Sequence, residues 1–268
     1  MINKYLIGLF ILTSVIFTNA QVMSFPFQME IGLGTSVYHG DLSKGTAGIK
    51  PDFGAQVGLK YYLSTQLTFI PRLGYARFSA ADASQGDPLR NLSFRSDVYY
   101  ASLNMEFDFY HFVVRSPRKF WPYLIGGIGA MRFDPKAELN GEYIALQPLQ
   151  TEGDSYSRFS AIVPVGTGFW YKVVEGLEIG AEFTWTLTFT DYLDDVSGNY
   201  VDNDFLNGNA ALLADRTYET GNIPTNSSDG VHWADGSQRG KSAFFDSFSS
   251  LMFSVKFNIY KSSVVCPH

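Results

Sequence analysis

Apolar and polar residues alternate along this chain with a period of two, over stretches longer than most globular strands. From Leu177 to Phe189 every second residue is apolar or aromatic, while Glu178, Gly180, Glu182, Thr184, Thr186 and Thr188 fall between. The same dyad runs through Phe53, Ala55, Val57, Leu59, Tyr61 and Leu63, and through Ala101, Leu103, Met105, Phe107 and Phe109. A period of two sends alternate side chains to opposite faces of an extended strand. Globular strands usually stop after about five or six residues. A membrane-crossing strand needs about 9–11, apolar toward lipid and polar toward the lumen. The pattern therefore predicts an all-β fold, an eight-stranded antiparallel transmembrane β-barrel.

The eight strands fall at 28–39, 52–63, 67–78, 99–111, 120–133, 159–171, 177–190 and 247–260. Their connections alternate between short (64–66, 112–119, 172–176) and long (40–51, 79–98, 134–158, 191–246). Bacterial outer-membrane barrels show this asymmetry, with short periplasmic turns and long extracellular loops. An even strand count then leaves both termini periplasmic. Two aromatic girdles are expected at the interfaces. The loop-end girdle is Tyr38, Phe53, Tyr75, Phe78, Tyr99, Phe133, Phe159 and Phe189; the turn-end girdle is Tyr61, Phe109, Trp121, Tyr123, Tyr171 and Phe257. Pro71 and Pro164 fall within strands, where a missing amide donor predicts bulges. The fifth strand alternates poorly, because Leu124 and Ile128 share a register with Pro122 and Arg132.

Residues 1–20 read as a secretory signal peptide: Lys4 in a basic n-region, an apolar run from Tyr5 to Phe17, and Thr18-Asn19-Ala20 as cleavage site. The barrel then occupies 21–260 and a periplasmic tail 261–268. No other stretch approaches 18 uninterrupted apolar residues, so the spans are strands rather than helices. Composition agrees, with 16% aromatic residues, 17% charged residues and 25 glycines. A net charge of −6 offers no basic face for nucleic acid. One cysteine, Cys266, excludes an intrachain disulfide framework and leaves open a bridge to another chain.

An eight-stranded lumen is narrow enough to be filled by side chains. The inward set comprises Glu30, Gln56, Lys60, Arg72, Asn104, Glu106, Asp108, Arg132, Glu178, Glu182 and Lys256. Mixed signs in so small a space are expected to pair into a polar core, because an unpaired buried charge is costly; the other reading is an ion or proton path. Catalytic signals are few. His39 lies near Ser36, Asp41 and Ser43, either as a lipid-hydrolysing centre at the rim or as a girdle histidine. The acidic run Asp191, Asp194, Asp195, Asp202 and Asp204 is either a solvated loop or a set of oxygen ligands for calcium, with spacing unlike an EF-hand. No cofactor and no small-molecule substrate are expected.

Four strings carry a family resemblance: EIGLGTSVYHGDL at 30–42, PYLIGGIGAMRF at 122–133, TDYLDDVSGNY at 190–200, and RGK at 239–241. Together they resemble the PorG-like outer-membrane barrels of the Bacteroidetes type IX secretion and gliding machinery, from about Glu30 to Ile259. The 190–200 string is the most specific. Lys241 departs from the asparagine expected there. The resemblance implies a non-enzymatic barrel in the cell outer membrane that ties a periplasmic ring, including a lipoprotein, to outer-membrane lipids. Its contacts would come from the turns at 112–119 and 172–176 and the tail at 261–268, where Arg115, Arg118, Lys119 and Cys266 lie. The alternative is a stand-alone OmpA-like barrel with a structural or adhesive role.

Overall fold

The dyad segments become long antiparallel strands. The structure, a computed structural model, describes residues 27–43, 50–82, 89–109, 119–224, 226–227, 229–241 and 245–259. Ten strands occur among them: β1 Phe27–His39, β2 Asp52–Tyr62, β3 Leu67–Ala81, β4 Ser93–Asp108, β5 Phe120–Arg132, β6 Pro135–Leu139, β7 Glu142–Ala145, β8 Phe159–Val174, β9 Leu177–Thr188 and β10 Ser247–Asn258. Eight of them form a closed ring in the order β1-β2-β3-β4-β5-β8-β9-β10, and β10 returns to pair with β1. Glu30 lies opposite Gly58 of β2 on one side and Lys256 of β10 on the other. Closure pairs every edge, which a strand wall in hydrocarbon requires. No described helix is long and apolar enough to cross a membrane.

The two remaining strands, β6 and β7, form a hairpin inside the third long connection and pair with the upper end of β4. β4 begins at Ser93, six residues before its expected start at Tyr99, and β3 runs on to Ala81. The barrel wall thus continues beyond the hydrocarbon. In this extension the alternation inverts. Ala76, Phe78, Ala80, Phe94 and Val98 point inward and are buried, while Arg77, Ser79, Arg95 and Asp97 face out. Water now bathes the outer wall, so the apolar set faces the interior.

That inversion corrects the aromatic girdles. Tyr38, Phe78 and Phe133 join a buried core with Leu42, Met131, Leu193, Val196 and Phe248, and Tyr123 and Trp121 pack in a second inner cluster with Ile70 and Trp170. Phe53, Tyr99, Phe159 and Phe189 are exposed at the long-loop end, and Tyr61 and Tyr171 at the other.

The prolines also behave differently from expectation. Between β2 and β3 the pairs flanking Pro71, Gly58 with Arg72 and Tyr61 with Phe69, keep one register. The pairs flanking Pro164 between β5 and β8 do the same. The missing donor opens two rungs toward one neighbour without inserting a residue. The register shift that does occur lies at Lys172/Val174, between β8 and β9.

β5 alternates regularly once its direction is known. Tyr123, Ile125 and Met131 face in, while Leu124, Ile128 and Arg132 face out. Arg132 is therefore not a lumen residue.

Candidate functional site

Most of the inward polar residues meet in one network at mid-barrel. The Arg72 guanidinium is its centre: Nη1 and Nη2 donate to the two oxygens of Glu182 at 2.7 and 3.1 Å, and Nε and Nη2 donate to Glu30 Oε1 at 3.0 and 2.6 Å. A planar fork is suited to such two-carboxylate bridging. Lys60 pairs with Glu106 and reaches Glu30 Oε2 at 3.6 Å. Lys256 pairs with Glu178. Two aromatic residues that sequence reasoning did not place in the lumen complete the network. Tyr123 donates its hydroxyl to Glu182 at 3.0 Å, and Trp170 packs against the Lys60 and Lys256 ammoniums, 4.4 and 4.6 Å from its ring centroid. Toward the short-turn end, Tyr62 donates to Gln28, which donates to Asn258 at 2.7 Å. Asp108 faces the lumen at that end, half-buried. Lys60, Arg72, Glu30, Glu106 and Lys256 are all at most 5% exposed, so the charges are both paired and buried.

Above the network the long loops fold into a cap, held by two buried arginines. Arg239 donates from Nη1 to Glu152 Oε1 at 2.9 Å and to the Asp195 carbonyl at 2.6 Å, and from Nε to the Ala214 carbonyl at 3.1 Å. Glu152 in turn accepts the Ser197 and Gly198 amides. Arg90 makes a two-oxygen pair with Asp82 at 2.7 Å and donates to the carbonyls of Asp41 and Arg239. All four long connections are thus tied together. A short helix, α1 at Asn209–Ala214, packs Leu213 into the apolar core beneath.

Of the acidic run expected as a solvated loop or calcium site, Asp194 and Asp195 are buried, Asp191 and Asp202 half-buried, and Asp204 exposed. Asp195 accepts from Thr151 at 2.5 Å and Tyr156 at 2.6 Å. Burial pushes its carboxyl up to about 6, against the pull of Arg239. Asp194 accepts from Tyr38 at 2.6 Å and from the Leu42 and Val196 amides. The same Tyr38 oxygen lies 3.0 Å from Asp246 Oδ1. A phenol has one proton, so it serves one carboxylate; the other must itself carry a proton and donate to the phenol oxygen. Asp194 already accepts two amides, which assigns the proton to Asp246. Burial raises both groups, and the Asp194 charge raises Asp246 further. Gly40 is required beside them, since a Cβ there would collide with both Asp246 Oδ1 and Tyr38 Oη. Asp202 accepts the Asp204 amide at the start of a short turn of helix. Among the described residues no group of three or more side chains is placed to hold a metal ion.

His39 does not assemble a hydrolase. Its ring stacks on Trp185 at 4.4 Å and its Nε2 meets Ser249 at 2.8 Å. Ser36 faces the opposite side of the strand toward Ser250, and Asp41 accepts the Lys241 amide. Arg115, Arg118 and Cys266 lie outside the described residues; Lys119 is exposed at the foot of β5. On its outer side the cap carries a cleft of about 190 Å³ lined by Asp41, Arg90, Tyr200, Trp233, Arg239 and Lys241. Trp233 stacks on Tyr200 there with centroids 5.7 Å apart. The arginine clamps were partly visible in sequence, since Arg239 and the 190–200 string carried the family resemblance, but nothing linked them to Glu152 or Asp82.

A closed eight-stranded wall with an apolar outer band defines an outer-membrane β-barrel. The chain belongs to the family described as Domain of unknown function (DUF6089), matched over residues 3–211. Among curated proteins none matches the sequence. Similar solved structures include Neisserial surface protein A (12% identity, TM-score 0.48, covering 87% of this chain and 97% of that one) and the attachment invasion locus protein Ail of Yersinia pestis with the heparin analogue sucrose octasulfate (11%, 0.42, 88% and 99%). A major outer membrane protein of Thermus thermophilus is also similar (13%, 0.42, 87% and 99%). None of these likenesses bears on what the chain does.

Proposed function

We propose that this protein is a non-enzymatic, non-conducting barrel of a type IX secretion system that anchors a periplasmic ring and its lipoprotein to the outer membrane. The observation that carries the non-conducting part is the doubly sealed interior: the Arg72-centred network fills the lumen and the arginine-clamped cap covers it. A sealed cylinder acts through its ends and its lipid face. The resemblance of the 190–200 string to PorG-like barrels supports placing the partner in the secretion apparatus, bound at the short-turn end. Crosslinking followed by detergent pull-down of the native barrel tests this, with recovery of a periplasmic ring component and its lipoprotein expected. Retention of secreted cargo after gene deletion is the matching cellular outcome. Normal secretion with altered envelope integrity overturns the secretion reading. It would favour a stand-alone barrel acting through its cap, a second reading supported by the ordered cap surface and its Trp233 cleft.

A further inference from the structure

The corrected direction of β5 leaves Arg132 on the lipid-facing wall with no ion pair or hydrogen bond among the described residues. It stands in a row of outward side chains: Tyr99 is its register partner on β4 and Phe159 on β8. Both rings are more than 60% exposed, so this row marks the headgroup level at the long-loop end. One rung toward the middle of the membrane the outward residues are Ala101, Ala130 and Ala161, side by side on β4, β5 and β8. Adjacent strands lie about 4.8 Å apart, so the three methyls floor a lane about 10 Å wide. Larger side chains rise around it, Leu73 on one flank and Leu103 and Ile128 below. An apolar groove on this wall is lined in part by Leu73, Ala101, Leu103, Ile128, Ala161 and Val163.

A belt of charged residues lies above the groove. Lys136 and Arg158 share one carboxylate, Asp134, at 3.1 and 3.0 Å. Arg95, the register partner of Lys136, stacks over Tyr143. Arg77 and Asp97 neutralise each other to the side. Glu138 and Asp52 lie on the Arg95 side of this belt, while the guanidinium closest to the lane, Arg132, is the uncommitted one.

We propose that Arg132 and the alanine lane beneath it seat one anionic, phosphate-bearing lipid from the leaflet at the long-loop end. The Arg132 fork holds the phosphate through two N–H donors. Tyr99 and Phe159 flank the headgroup, and two acyl chains lie along the Ala101–Ala130–Ala161 floor. Lys136 and Arg158, sharing one carboxylate, add to the positive field. The seat depends only on the barrel wall and not on the secretion reading.

The test is native mass spectrometry of the whole barrel in detergent, titrated with phosphatidylglycerol or with zwitterionic phosphatidylcholine. Folding of each variant is checked by its heat-modifiable migration in gels. The wild type is expected to bind its first phosphatidylglycerol about tenfold tighter than phosphatidylcholine, whose choline ammonium cancels the net charge that the Arg132 guanidinium attracts. Arg132→Gln should abolish that preference, and Arg132→Lys should keep part of it because the charge stays and the fork is lost. Ala130→Phe leaves the cation untouched and fills the lane, so it should weaken both lipids. Equal binding of the two lipids by the wild type overturns the proposal. So does a preference that survives Arg132→Gln, or binding unchanged by Ala130→Phe.

Discussion

Replacing Asp246 by asparagine is expected to leave the cap intact at neutral pH and to protect it in alkali. Asp246 and Asp194 flank the Tyr38 hydroxyl at 3.0 and 2.6 Å, and one proton must sit on Asp246 for that geometry to hold. Asparagine reproduces the protonated group: its carbonyl accepts the Leu193 amide as Asp246 Oδ2 now does, and its amide donates to the Tyr38 oxygen. The sign follows from the raised carboxyls. The folded cap binds a proton that the unfolded segment, at the ordinary aspartate value of 3.8, releases far below neutrality. Wild-type cap stability is therefore highest in acid and falls as pH rises from about 4, where the unfolded segment has released the proton that the folded cap still holds, until Asp246 itself ionises in the folded cap. Each further pH unit removes up to about 1.4 kcal/mol, so about 1.5 units remove about 2 kcal/mol. Asp246→Asn removes this decline. Asp246→Ala, by contrast, strands the Leu193 amide and the phenol and costs about 1–3 kcal/mol at any pH. Hydrogen exchange of the Leu42, Leu193 and Val196 amides, corrected for intrinsic base catalysis, reads all three proteins. A wild-type cap whose protection is flat from neutral to alkaline pH refutes the shared proton, as does an asparagine variant that opens at neutral pH like the alanine one.

Arg239→Met should destabilise the cap by about 3–5 kcal/mol, because Glu152 and Asp195 lose a buried cation; limited proteolysis should cut within residues 189–241 while the barrel itself stays heat-modifiable. In the lumen, Arg72→Met leaves Glu30 and Glu182 facing each other without a bridge and should cost a similar ~3–5 kcal/mol, read as a lower denaturant midpoint in lipid. Gly40→Ala should separate Tyr38 from Asp246 at an overpacking cost of about 1–3 kcal/mol and accelerate exchange at Leu193. Planar bilayers holding the wild-type barrel should show no steady conductance; a resolved open channel would contradict the sealed lumen.

The eight spanning strands, their antiparallel order and the lumen positions of Glu30, Lys60, Arg72, Glu106, Glu178 and Glu182 are all legible in the linear pattern. A period of two is a local property that survives any later packing, and lipid demands it over the whole span. What the period cannot state is which of its two faces looks inward. The linear pattern puts Arg132 in the lumen with the other charged residues, although Leu124 and Ile128 share its register. It puts Tyr38, Phe78 and Phe133 in the girdle because they are aromatic and near strand ends. The closed ring alone settles those faces, since the surrounding medium changes from hydrocarbon to water along one continuous strand and the apolar set changes sides with it. The cap lies beyond local reading for a related reason. Its clamps join residues far apart in the chain, Arg239 with Glu152 and Arg90 with the Asp41 and Arg239 carbonyls, and each such contact exists only after the barrel has brought the loop ends together over a single mouth.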